Sequence, residues 1–169
     1  NSNLTELKIQ DQLALYRSEL EGFIDLSFNT ICAYKENAAM MHYSASEKSN
    51  KEVVGDGLLL IDSGGQYITG TTDITRTFAI GNIDDKLKRD YTLVLKGMIN
   101  LSKAKFLYGC RGVNLDVLAR GPLWDIYMDY KCGTGHGVSH IGNVHEGPNG
   151  FRWKIVEERN DSCILEPGM

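Results

Sequence analysis

The 169 residues carry 18 Lys and Arg against 22 Asp and Glu, a net charge of −4, without the basic surplus that nucleic-acid binding normally shows. Hydrophobic content of 42% and charged content of 24% describe a folded globular chain, long enough for one ordinary domain with a real core. No apolar run approaches the length of a membrane span and no signal peptide is visible, so neither a membrane nor a nucleic acid is an expected partner.

Thr5 is the expected N-cap of a first helix, with Ile9, Leu13, Tyr16 and Leu20 spaced to form one apolar face. Glu21 and Gly22 should close it, because glycine accepts the left-handed conformation past a helix end. From Phe23, FIDLSFNTICAY mixes apolar, β-branched and aromatic residues in the manner of a strand. Residues 37–50 then read as a loop carrying His42. Residues 58–61 form a continuous apolar run, the pattern of a buried strand. Ser63, Gly64 and Gly65 read as a turn, and a second strand alternates from Asp73 to Gly81.

A long helix is expected after Asp84 and Asp85, with Leu87, Tyr91, Val94 or Leu95, Met98 and Leu101 at helical spacing. The glycine-rich break YGCRGVN leads to another helix, capped by Asn114 and turning Val117 and Leu118 inward. A glycine- and histidine-rich segment follows, then the strand-like FRWKIVEER and a closing ILEPGM. Strands and helices alternate without a regular βαβ rhythm or repeat, which predicts an α+β fold. Cys32, Cys110, Cys132 and Cys163 are scattered with no CxxC pair, which suits reduced thiols and a cytoplasmic location.

Two carboxylates stand out. Asp62 ends a strand of Leu and Ile, where an unpaired charge is costly to bury, and Asp73 opens the next strand eleven residues on. If residues 63–72 fold back as an antiparallel connection, both side chains can face one space. Their repulsion then calls for a cation, and carboxylates with a histidine suit Mn2+, Co2+ or Zn2+. The plainer alternative keeps Asp62 at a turn and Asp73 exposed at a strand end. Thr71, Thr72, Thr75 and Thr77 around Asp73 could orient the carboxylates or simply express β-propensity.

The stretch GTGHGVSHIGNVHEGP, residues 133–148, holds His136, His140 and His145. A helical HxxxH pair is improbable there, because Gly133, Gly135 and Gly137 each add a backbone entropy cost. Glycines on both sides of His136 point instead to a strand or loop that something approaches closely. The stretch lacks the third glycine of GxGxxG and the lysine of a P-loop, so a phosphate cradle is not expected.

The segments FIDLSFNTICAYKENAAMMHYS, LLLIDSGGQYITGTTDITRTFAIG, NLDVLARGPLW and CGTGHGVSHIGNVHEGP together resemble the aminopeptidase P branch of the pita-bread metallopeptidases. The resemblance covers most of the chain in the right order. It implies the creatinase/aminopeptidase fold, a curved and mostly antiparallel sheet flanked by helices. It also implies that residues 1–169 are an incomplete catalytic domain, with N-terminal domains before it and its own C-terminal part absent. The absence of an initial Met fits a longer parent protein.

The family holds two divalent cations, commonly Mn2+, with two Asp, one His and two Glu. Asp62 matches the first Asp, Asp73 the Asp that bridges both metals, and His136 the ligand histidine. His145 matches a histidine beside the substrate, and His42 one that positions substrate or moves protons. His140 matches no ligand. Cys132 occupies a substrate-contacting position where many relatives carry a further histidine. Glu166, Pro167 and Gly168 resemble the family's EPG ligand motif, but Leu165 and Met169 fit the preceding L-x-PGM element, so both Glu ligands are expected beyond Met169.

The activity implied is that of a Xaa-Pro aminopeptidase, in which a metal-bridging hydroxide attacks the scissile carbonyl of a peptide with proline at position two. His42 and His145 would stabilise the substrate and the tetrahedral intermediate. A homodimer is implied for the full-length protein, and little activity for residues 1–169 alone. Xaa-Pro dipeptidase, which shares the ligands, is the nearest alternative. Methionine aminopeptidase fits less well, because the nine-residue interval from His136 to His145 resembles aminopeptidase P. A non-catalytic peptide-binding module of the same fold would normally have lost ligands that Asp62, Asp73 and His136 retain.

Overall fold

In the computed structural model, which describes residues 3–159 and 161–169, contacts gather the chain into two units. One is Asn1–Ile83 with Val138–Val144; the other is Asp84–Gly137 with His145–Met169.

The first unit begins with helix α1 (Glu6–Ser18), and Thr5 caps it as expected, its Oγ1 accepting from Lys8 N at 3.4 Å. The helix stops earlier than its apolar spacing suggests, with Glu19 as C-cap. Gly22 is left-handed (φ +77°), but it turns the chain into the next strand rather than closing the helix. Tyr16 and Leu20 are exposed, and the apolar side chains of the helix that pack against the core are Leu7 and Ile9. The strands are β1 (Phe23–Leu26), β2 (Ile31–Tyr34), β3 (Gly57–Ser63), β4 (Gly65–Tyr67), β5 (Gly70–Thr71) and β6 (Ile74–Ile80). They pair antiparallel throughout, in sheets ordered β1-β4-β5 and β2-β3-β6.

FIDLSFNTICAY is therefore two strands in two sheets, not one. Its second half, β2, is buried on both faces: Cys32 and Tyr34 pack with Leu59, while Ala33 packs with Tyr43 and Ala45. Alternate side chains of a strand point to opposite faces, so two clusters on one strand give a continuous apolar run. The expected turn at Ser63, Gly64 and Gly65 is also replaced. Gly64 carries the chain straight from β3 into β4, and a Cβ there would lie 1.9 Å from Thr72 O and 2.3 Å from Ser27 Oγ. Only glycine fits that crossing.

In the second unit, α2 (Asp85–Ser102) starts at the expected cap, Asp84 Oδ1 accepting from Leu87 N at 2.8 Å. Helix α3 (Gly112–Trp124) starts two residues before the expected cap. Asn114 lies inside it and reaches back to accept from Arg111 N at 2.8 Å. The buried residues of α3 include Leu115, Asp116, Ala119, Arg120 and Leu123, whereas Val117 and Leu118 are exposed. The inward stripe thus contains an acid and a base, which hide its phase in the sequence. The two helices meet backbone to backbone, since a Cβ on Gly97 would lie 2.1 Å from Ala119 O.

Strands β7 (Gly135–Val138) and β8 (His145–Phe151) form a third, two-stranded sheet. The strand expected at FRWKIVEER lies earlier: only Phe151 belongs to β8, and a short 3-10 turn follows at Glu157–Arg159. Close approach decides this over β-propensity, because a Cβ on Gly137 would meet Glu146 O at 2.2 Å. All four cysteines are free, and among the described residues no helix is long and apolar enough to cross a membrane.

Candidate metal centre

In the first unit, Asp62 of β3 stands opposite Thr75 of β6, with Ser63 opposite Ile74. Cross-strand partners share a face, and side chains two apart along a strand share it as well. Asp73 immediately precedes β6, two residues before Thr75, so the antiparallel fold-back of residues 63–72 brings its backbone to the end of β3 that carries Asp62. Both carboxylates are partly buried. Of the flanking threonines, two are spent on backbone groups: Thr72 Oγ1 accepts from Gly65 N at 3.0 Å, and Thr71 Oγ1 donates to His140 O at 2.9 Å. These two tie the connection together.

His42 sits in an exposed turn in the left-handed region (φ +54°), closed by Tyr43 N donating to Met40 O at 3.3 Å. A non-glycine residue is strained there, and what holds it is its neighbour. The buried Tyr43 hydroxyl donates to Glu6 Oε2 at 2.9 Å, and Asn37 Nδ2 donates to both Glu6 oxygens at 3.0 and 3.1 Å. His140, whose carbonyl is held by Thr71, belongs to the same unit.

In the second unit, β7 and β8 bring His136 and His145 together, with ring centroids 3.9 Å apart and planes tilted by 60°. His136 Nδ1 lies 2.8 Å from Gly137 O. A carbonyl oxygen only accepts, so Nδ1 carries the proton and Nε2 is the basic nitrogen of the neutral ring. That is the state in which an imidazole ligates a metal, its other nitrogen held by a backbone carbonyl. Carboxylates such as Asp62 and Asp73 in the first unit, and an imidazole such as His136 in the second, are donor types that suit Mn2+, Co2+ or Zn2+. Cys132 is exposed, and with His136 it lines a cavity of about 720 Å³ whose other walls include Val94, Met98, Phe106 and Phe151. Glu166 Oε1 accepts from Tyr108 OH at 2.8 Å.

The residues leading into His136 are held by a group that motif reading passes over. Arg120, 1% exposed, forms an ion pair with Asp116 at 2.6 Å and another with Asp129 at 2.7 Å. Burial works against its charge, but the hydrogen bonds to Asp129 and Asp116 outweigh it and raise its pKa. For Tyr130, whose ring lies 3.9 Å from the guanidinium, burial wins and raises the phenol pKa. The sequence signal was available: an Asp and an Arg four apart in an otherwise apolar helix.

Residues 1–169 match metallopeptidase family M24 throughout, and the chain belongs to that family. Its fold is accordingly the pita-bread α+β fold. Aminopeptidase P2 of Arabidopsis thaliana is 45% identical over 172 residues, covering 99% of this chain and 24% of that protein. An X-prolyl aminopeptidase from Caenorhabditis elegans, described as a cytosolic enzyme with a di-nuclear active site, is 43% identical with a TM-score of 0.85. That likeness covers 89% of this chain and 25% of the other. A Xaa-Pro dipeptidase from Bacillus anthracis is 30% identical with a TM-score of 0.81, covering 99% of this chain and 44% of the other. The chain thus spans about a quarter of the length of curated relatives such as the Arabidopsis protein.

Proposed function

We propose that the full-length protein is a metal-dependent exopeptidase that removes the N-terminal residue from peptides with proline at position two. What supports this reading is that a chain 45% identical to an aminopeptidase P along almost its whole length carries Asp62 in β3 and Asp73 just before the antiparallel partner β6. Residues 1–169 form part of the catalytic domain. On this reading Asp62, Asp73 and His136 would be ligands for divalent ions, Mn2+ first, with Co2+ or Zn2+ as alternatives. When bound, such ions polarise the scissile carbonyl and make a water nucleophilic near neutral pH.

The chain's own residues do the rest. His136 keeps its proton on Nδ1, against Gly137 O, and so offers Nε2 to the metal. His145 and His42 donate hydrogen bonds to the substrate carbonyl, which strengthen as negative charge develops on its oxygen. Cys132 lines the substrate's path in place of a further histidine. The full-length enzyme works as a cytoplasmic homodimer.

The test is release of the first residue from matched Xaa-Pro-Xaa and Xaa-Ala-Xaa peptides by the Mn2+-loaded full-length protein, with Asp73→Ala as control. Cleavage of the proline peptide alone, lost in the control, is the expected result. The likeness to the Bacillus anthracis dipeptidase favours a second reading, in which the substrate is the dipeptide Xaa-Pro. Cleavage of Xaa-Pro with no action on Xaa-Pro-Xaa would select it.

A further inference from the structure

We propose that Asp116 and Arg120 form a buried positioning device for the His136 strand, acting through the hydroxyl of Thr134; the inference rests on the reading of His136 as a metal ligand.

Arg120 bonds to its own helix through Nε alone, which donates to Asp116 Oδ2 at 2.6 Å. Its remaining nitrogens reach out of the helix into the segment that leads to GTGHG. Nη1 donates to Asp129 Oδ1 at 2.7 Å and Tyr130 O at 2.6 Å, and Nη2 donates to Cys132 O at 2.7 Å. The planar fork of five donors thus fixes two backbone carbonyls and one side chain of that segment at once. A lysine, a point charge with three rotatable donors, cannot reproduce the fork.

The second arm of the device runs through Asp116. Its Oδ1 accepts from Thr134 Oγ1 at 2.5 Å, and Tyr130 OH lies 2.5 Å from the same Thr134 oxygen. Threonine has one hydroxyl proton and the ion-paired carboxylate takes it, so the Tyr130 hydroxyl must donate to Thr134. The proton order is therefore Tyr130 to Thr134 to Asp116. Thr134 N in turn donates to Phe151 O at 2.9 Å, which ties the segment to β8. Thr134 is held by side chain and backbone together, two residues before His136. Thr134 immediately precedes β7, so a backbone rotation there is passed along the strand to the imidazole two residues on.

Stability alone is a poor reason for such a group. A buried ion pair is often no more stabilising than apolar residues of the same volume, and its best-attested use is to specify one arrangement among several. Here the arrangement specified is the backbone that delivers His136.

The experiment compares Thr134→Val, which removes the hydroxyl at nearly constant shape, with Thr134→Ser, which keeps it. Both are made in the full-length protein, stripped of metal and titrated with Mn2+ by calorimetry. Hydrogen exchange over residues 133–138 is followed in the metal-free state. Thr134→Val should bind Mn2+ about tenfold more weakly, in line with the loss of a group that supports a ligand, and should exchange faster over that stretch. Thr134→Ser should restore both, while the metal-free unfolding transition stays cooperative in each variant. Unchanged affinity and exchange in Thr134→Val overturn the proposal, as does a serine variant as weak as the valine one. A wild-type protein that binds no Mn2+ and cleaves no peptide overturns the underlying reading instead, so the two failures are distinguishable.

Discussion

Glu6 and Asp116 are both fully buried, and the protein satisfies them by opposite means. Glu6 sits in a cage of uncharged donors: Tyr34 N at 2.6 Å, Asn37 Nδ2 at 3.0 Å, Tyr43 OH at 2.9 Å and Lys51 N at 3.0 Å. Asp116 relies on the Arg120 guanidinium and one threonine hydroxyl. The cage spreads its support over four residues of the first unit, so each member carries part of it. The ion pair concentrates support in one side chain, which itself holds the backbone at Tyr130 and Cys132. A distributed site should weaken in steps, and a concentrated one should fail at once.

The largest effect should come from Arg120→Met. It leaves Asp116 buried without its counter-charge, and removing one partner of a buried pair costs about 3–5 kcal/mol. Urea denaturation of the full-length protein measures it. The double variant Asp116→Leu with Arg120→Met should recover much of the loss, because no lone charge remains. If the single variant costs no more than removing one donor from the Glu6 cage, the contrast between the two sites disappears.

Tyr43→Phe is that milder change. It deletes one of several donors to a charged acceptor, an effect of about 1.5–3 kcal/mol. It also loosens the residue beside His42, whose left-handed backbone depends on the anchored Tyr43 ring. On the proposed role of His42, the same variant should raise KM for Xaa-Pro-Xaa more than a destabilisation of this size in another region would.

The same contrast explains how much of the molecule its sequence discloses. The caps at Thr5 and Asp84, the apolar run in β3 and the carboxylates at Asp62 and Asp73 follow local rules: a capping oxygen, an apolar run, a charge at a strand end. The family likeness was readable because its motifs are long. The split of FIDLSFNTICAY was not, since β1 and β2 have similar composition and differ in which sheet they join. The true phase of α3 was hidden because Asp116 and Arg120 read as surface charges until each is seen to neutralise the other. FRWKIVEER has the composition of a strand, yet β8 runs through the less promising HEGPNGF, where glycines let two backbones approach. Long-range pairing decided each of these cases, and single-residue propensity carries no record of it.

The smallest effect at neutral pH, and the sharpest on the electrostatics, concerns Cys32. Its thiol is pushed up to about 12, first by burial and then by the charge of Glu6. Neutral donors satisfy Glu6 without cancelling its charge, so its field still reaches a neighbour; Arg120 opposes the charge of Asp116 at 2.6 Å. Between the ordinary thiol value of 9.0 and about 12, the unfolded chain has lost the Cys32 proton and the folded chain has kept it. The folded state then binds more protons, so stability falls as pH rises through that window and is unaffected below it. Cys32→Ala should flatten this alkaline limb of the urea midpoint while leaving a cavity cost that does not vary with pH. Glu6→Gln should flatten it only in part, because burial, the larger cause, remains. An alkaline limb identical in wild type and Cys32→Ala would show that the thiol titrates alike in both states, and the idea of an uncancelled charge at Glu6 would fall with it.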